Sequence, residues 1–169
     1  TPADLVKDLP GDNEAKAETI DNNLQHEIVK KMSSNPVYYG KLSEMLKKII
    51  MQRKVAAMSY QEYLKQVVEM AEAILHPEDN GDYPDEVKNS AARRALFDYF
   101  EEDLELTVDV DGAIRIAIRQ AWKKNRQKQQ KIRLAIYEKL LLHSYSKDKA
   151  EEETNQVFDI AQRQEEYDA

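Results

Sequence analysis

Three histidines, two Glu-x-Lys triplets, one Asp-x-Asp-Gly step and one dense lysine/arginine run are the groups in this 169-residue chain whose type and spacing could do chemistry. His26, His76 and His143 stand far apart, and none has a His or carboxylate partner at the spacing that joins two metal ligands on one helix. Glu14-Ala15-Lys16, and Glu86-Val87-Lys88 behind Pro84-Asp85, have the form that metal-dependent nucleases place on adjacent strands around Mg²⁺. No strand pattern surrounds either copy. Asp109-Val110-Asp111-Gly112 resembles the start of a calcium loop, but such a loop needs glycine sixth and glutamate twelfth, where this chain has glycine fourth and Gln120 twelfth. The acids Glu78, Asp79, Asp82 and Asp85 fit a solvated turn. Gly11, Gly40, Gly81 and Gly112 are too far apart for a phosphate-binding loop, and cysteine is absent. The expectation is a chain with no catalytic, cofactor-binding or metal-binding residue.

Charge and aromatic placement point instead to binding. Between Arg115 and Lys139 nine Lys/Arg face a single acid, Glu138, a local balance of +8 within a net charge of −7. Such a segment can neutralise phosphates and release their counterions. Arg119, Lys123, Lys124, Arg126, Lys128 and Lys131 are the candidate phosphate contacts. The other reading of the same run is a solvated helix face, or one that meets an acidic protein surface. Tyr38, Tyr39, Tyr60 and Tyr63 are candidate anchors of a protein interface, since tyrosine pairs a large apolar ring with a polar tip. Tyrosines at a helix start also close cores, with their hydroxyls bonded internally.

The elements that must position these groups read as helices. Glycine numbers four and proline five, too few for a sheet rich in tight turns. Leu42, Met45, Leu46, Ile49 and Ile50 recur at steps of three and four, and Leu64, Val67, Val68, Ala71, Ile74 and Leu75 form a second stripe behind Ser59-Tyr60-Gln61-Glu62. The latter tetrad has the form of a capping box, with Met58 and Tyr63 placed as a hydrophobic staple. Together they predict an antiparallel helical hairpin. Before it, Ala17, Ile20, Leu24, Ile28 and Met32 predict a helix that Ser33-Ser34-Asn35-Pro36 stops. After it come an aromatic-ended stripe (Ala92, Ala95, Leu96, Tyr99, Phe100), a stripe of Ile132, Ala135, Ile136 and Leu140, and a last short helix with Val157, Ile160 and Ala161.

Residues 104–118 alternate strictly around Asp111-Gly112, as a β-hairpin would, while Ile114, Ala117, Ile118, Ala121 and Trp122 keep helical spacing. An extended approach followed by a helix is the favoured expectation, because a lone hairpin is marginal in water. The fold class is therefore all-α, about six helices in a bundle-like domain. Residues 1–11 read as a leader or tether, 12–76 as the N-terminal helical part with the hairpin, 77–90 as an exposed loop boundary, and 91–169 as the C-terminal helical part. No apolar run approaches the ~20 residues that cross a bilayer, and neither a signal peptide nor a glycosylation sequon is seen. No membrane association and a cytoplasmic location are expected.

Asn35-Pro36-Val37-Tyr38-Tyr39-Gly40-Lys41-Leu42-Ser43, then a helix, then Ser59-Tyr60-Gln61-Glu62-Tyr63-Leu64, resembles the C-terminal region of the motor (R) subunit of type I restriction-modification enzymes. Supporting order extends from about Ala15 to Asp168. Ala15 to Glu18 leading to His26-Glu27-Ile28 stands upstream; Ala91 to Tyr99, Asp111 to Ile118, Trp122, Lys131 to Leu142 and the ending Gln164 to Tyr167 stand downstream. The glutamine-rich run from Lys123 to Lys131 departs from that pattern. In the family the whole subunit is a site-specific endonuclease and ATP-dependent DNA translocase that uses ATP and Mg²⁺ in other domains. The resemblance implies that this chain is the helical region alone, without catalysis or cofactor. Its implied partners are the methyltransferase core of modification and specificity subunits and the other domains of the same R subunit. A DNA-backbone contact through residues 115–139 is the alternative.

Overall fold

The computed structural model describes Leu9 and residues 11–169; the rest of the leader predicted for 1–11 lies outside the described residues. Among those residues the regular structure is helical, with nine α-helices, three short 3₁₀ turns and no strand. They gather into two units, one ending at Asp82 and the other Tyr83–Ala169, each with its own apolar cluster.

In the first unit, α1 (Asn13–Lys31) begins where the Asp12 carboxylate accepts the Ala15 amide at 2.9 Å. Ala17, Ile20, Leu24 and Ile28 form its buried stripe. A 3₁₀ turn over Met32–Ser34 leads to Asn35, whose side chain accepts the Tyr38 amide at 3.1 Å and so caps α2 (Pro36–Lys54). Proline fits there because the first helical N–H has no intrahelical partner to lose. α2 buries Tyr39, Leu42 and Leu46. Ser59 caps α3 (Tyr60–Leu75) by accepting the Glu62 amide at 3.1 Å. The Glu62 carboxylate, expected to close a capping box, accepts instead from Gln66 one turn on, at 3.1 Å. α3 buries Tyr63, Val67, Met70, Ala71 and Ile74. These stripes from α1, α2 and α3 share one core, against which Met58 packs.

The stretch 77–90, expected as an open loop, contains two single-turn helices, α4 (Pro77–Asn80) and α5 (Asp85–Lys88). Val87 on α5 is fully buried, so a single apolar residue among acids anchors the turn. In the second unit α6 (Ala91–Tyr99) starts at Ser90, whose hydroxyl accepts the Arg93 amide.

α7 (Leu104–Ala117) corrects the reading of 104–118: the segment is helix from Leu104 to Ala117, with neither an extended approach nor a hairpin. Asp103 caps it through the Leu106 amide at 3.0 Å, and Leu106, Val110 and Ile114 are buried at steps of four. The apparent alternation arose because Leu104 and Val108, each two residues from a position of that stripe, are apolar too. Asp111-Gly112 is helix interior, and Asp111 is wholly buried.

The helix expected to run on through Ala121 and Trp122 ends at Ala117. Ala121 takes a left-handed conformation (φ 56°), and Trp122 begins a 3₁₀ turn. α8 (Arg126–Leu142) and α9 (Lys147–Gln162) follow, capped by Asn125 and Ser146. α9 is longer than its three recognised apolar positions suggested, because Ala150, Thr154 and Phe158 extend the same buried face. The tail closes with a 3₁₀ turn over Glu165–Tyr167.

Candidate functional site

Buried charge is where a helical domain would keep chemistry, and each unit has one such centre. In the first, Arg53 near the end of α2 donates to Asp21 on α1 and to Glu14, each at 2.6 Å. The Tyr63 hydroxyl donates to Asp21 at 2.5 Å and to the Ala17 carbonyl at 3.0 Å, while the Arg53 guanidinium lies 5.3 Å from the Tyr63 ring centre. Burial opposes the Arg53 charge, but the bonds it donates to Glu14 and Asp21 outweigh it and hold the pKa above its ordinary value. Burial, and then the bond to Asp21, push the Tyr63 hydroxyl well above the usual tyrosine range. Both groups keep their neutral-pH protonation states, and neither is poised to transfer a proton.

In the second unit the Asp111 carboxylate accepts from Tyr167 at 2.6 Å, Arg93 at 2.8 Å and Arg115 at 3.0 Å. Burial pushes this carboxyl up; hydrogen bonds from Tyr167, Arg115 and Arg93 more than reverse it and hold it below its ordinary value. Glu166 beside it accepts from Ser90 (2.7 Å), the Ala92 amide (3.1 Å) and Arg115 (2.9 Å). Its carboxyl is raised by burial and lowered further by those bonds, for a net depression. The Trp122 indole N–H donates to the Tyr167 carbonyl at 2.6 Å. These bonds clamp the tail onto α6 and α7. The sequence offered a signal for this centre in hindsight: an aspartate within the stripe of Leu106, Val110 and Ile114, four residues before an arginine.

The tyrosines expected at an interface divide. Tyr39 and Tyr63 are core residues, corrected from interface anchors: both are buried and their hydroxyls bond within the fold. Tyr39 donates to the Ile74 carbonyl at 3.3 Å, and the half-buried Tyr38 to that of Ala73 at 2.7 Å. The pair thereby fastens the start of α2 to the end of α3. Tyr60 is half-buried, stacked 6.1 Å from Tyr63.

The candidate phosphate contacts divide as well. Lys123 is committed to Asp168 and to the Gln164 carbonyl, and Lys128 donates to the Gln120 carbonyl at 2.6 Å. Arg119 donates to the carbonyls of Ile116 and Ile118, and no acid among the described residues pairs its charge. Lys124, Arg126 and Lys131 are exposed, and none of them bonds to a side chain among the described residues.

Two histidines do find carboxylates: His143 Nε2 lies 2.7 Å from Asp109, and His76 Nδ1 lies 3.4 Å from Glu78. Sequence distance hid the first pair, which joins the end of α8 to α7. His76, Glu78 and Asp79 bring ligand atoms within 4.8 Å of one another on an exposed turn. No described helix is long and apolar enough to cross a membrane.

Among the described residues, an open groove of about 410 Å³ lies between α2 and α3, floored by Leu42, Met45, Ile49, Met70 and Ala73; a second, of about 400 Å³, lies between α8 and α9 beside Arg133, Leu134 and Tyr137. In the first groove Met45 is 52 % exposed. No protein-family model, curated protein or solved structure matches the chain.

Proposed function

We propose that this chain is a non-catalytic assembly module, the C-terminal helical domain of the R subunit of a type I restriction enzyme. It docks the DNA-translocating endonuclease subunit onto the methyltransferase core of modification and specificity subunits. The observation that carries the reading is the pair of helix entries, Asn35 to Ser43 and Ser59 to Leu64. In the fold Asn35 and Ser59 are helix caps, and Tyr38, Tyr39 and Tyr63 bond internally to hold α2 and α3 in place. The residue types that carry the resemblance thus shape a helical scaffold with an apolar groove on it. On this reading ATP and Mg²⁺ act in other domains of the subunit, and the protein works in the cytoplasm. The test is an R subunit lacking residues 12–169, mixed with its methyltransferase core: assembly should be lost, and assembly at unchanged affinity refutes the role.

A second reading is favoured by one observation. Lys124, Arg126 and Lys131 carry exposed charge that no side chain among the described residues pairs, and the first turn of α8 holds no acid. With Arg119 they offer about four contacts to a nucleic-acid backbone. The logarithm of duplex affinity would then fall with the logarithm of salt at a slope of about −3.6, at roughly 0.9 per phosphate. Charge reversal at Lys124 and Arg126 should flatten that slope by about half. A salt-independent affinity, or none, removes this reading.

A further inference from the structure

The first unit packs α1 against both α2 and α3, yet no α1 residue lines the groove between the latter two. The hairpin is therefore covered on one side and open on the other. Its open side has an apolar floor with a methionine from each helix, Met45 and Met70, side chains that adapt to varied partners. The edges differ in charge. α2 carries five Lys/Arg against one acid, of which Arg53 is turned to Glu14 and Asp21 on α1, and α3 carries three glutamates against one lysine. At the groove itself Lys48 stands on the α2 edge, and Glu62 and Glu69, with Lys65 between them, stand on the α3 edge.

We propose that this open side takes a single amphipathic helix from the docking partner, completing a four-helix arrangement around the hairpin. The incoming helix sets its apolar stripe on Met45, Ile49 and Met70. Acidic residues run along its edge over α2 and basic residues along its edge over α3. With α3 about 24 Å long at ~1.5 Å per residue, the matching helix has about four turns. Charge decides its direction and face: reversing either edge sets like charges against each other. The inference rests on the docking reading and adds the surface and the kind of element that fills it.

The experiment measures binding of the whole chain to the cognate methyltransferase core by sedimentation, for the unmodified protein and for Met45→Glu, Lys48→Glu, Glu69→Lys and Ile116→Glu. All four positions are exposed, and circular dichroism checks that each variant keeps its helix content and melting point. Met45→Glu should weaken binding at least tenfold and each edge reversal severalfold, while Ile116→Glu, in the other unit, stays within twofold. If the unmodified chain does not bind, the docking reading fails and the inference falls with it. If the unmodified chain binds and Met45→Glu and Lys48→Glu bind within twofold of it, the groove is refuted and docking stands. Equal loss in Ile116→Glu and Met45→Glu also refutes the assignment to the groove.

Discussion

Replacing Asp111 by asparagine tests the second unit at its centre. The carboxylate is wholly buried and takes hydrogen bonds from Tyr167, Arg93 and Arg115. Asparagine keeps an acceptor for Tyr167 but removes the charge and turns an amide N–H₂ toward an arginine. Charge-assisted bonds contribute ~1.5–3 kcal/mol against ~0.5–1.5 for neutral ones, so three bonds lose about 3 kcal/mol before screening. Arg93 and Arg115 are 31 % and 40 % exposed, which lets water take over part of that loss. The unmet amide donor adds about 1 kcal/mol. The net expectation is about 3 kcal/mol of lost stability, confined to residues 83–169. Trp122 is the single tryptophan, is buried in that unit and bonds to Tyr167, so its fluorescence reports the right transition. In urea at pH 7 the Trp122 midpoint should fall by about 2 M, for a slope near ~1.5 kcal/mol per molar. A loss below about 1 kcal/mol would refute the claim that Asp111 organises this unit.

The same centre sets an acid response. Asp111 and Glu166 both have carboxyls held below their ordinary values, so their stabilisation is complete above the ordinary carboxylate range and is lost as pH falls through the depressed values. The Trp122 urea midpoint should therefore drop below about pH 4, and Asp111→Asn should flatten that drop. Tyr63→Phe removes a hydroxyl shared by Asp21 and the Ala17 carbonyl, and should cost about 1–3 kcal/mol by thermal circular dichroism with helix content unchanged. Ala121→Gly should gain about 0.5–1 kcal/mol, because relief of the left-handed backbone (~1–2 kcal/mol) exceeds the added freedom of the unfolded chain (~0.4–1). A lowered midpoint in that variant would show that the Ala121 backbone is not strained.

The all-α class and the hairpin were legible because long amphipathic stripes and side-chain caps are local signals, as at Asn35 and Ser59. Helix α7 was not. Two apolar residues off its stripe imitated a strand, and the aspartate that makes sense of the buried face is paired by Arg93 and Tyr167, which lie 18 and 56 residues away. The tail shows the same limit. Nothing near Glu166 or Tyr167 in the sequence says that α6 and α7 await them. Among the candidate residues, composition singled out tyrosine and lysine as polar-tipped or charged groups, but not which of them the fold itself engages. Tyr39, Tyr63, Lys123 and Lys128 are bound to their own fold, while Lys124, Arg126 and Lys131 remain open to a partner.

The docking role is the central claim, and sedimentation velocity of the purified chain mixed with its cognate methyltransferase core, in the absence of DNA, tests it most directly. The account predicts a single faster boundary containing both components. Separate boundaries at concentrations well above those of the assembled enzyme would contradict it.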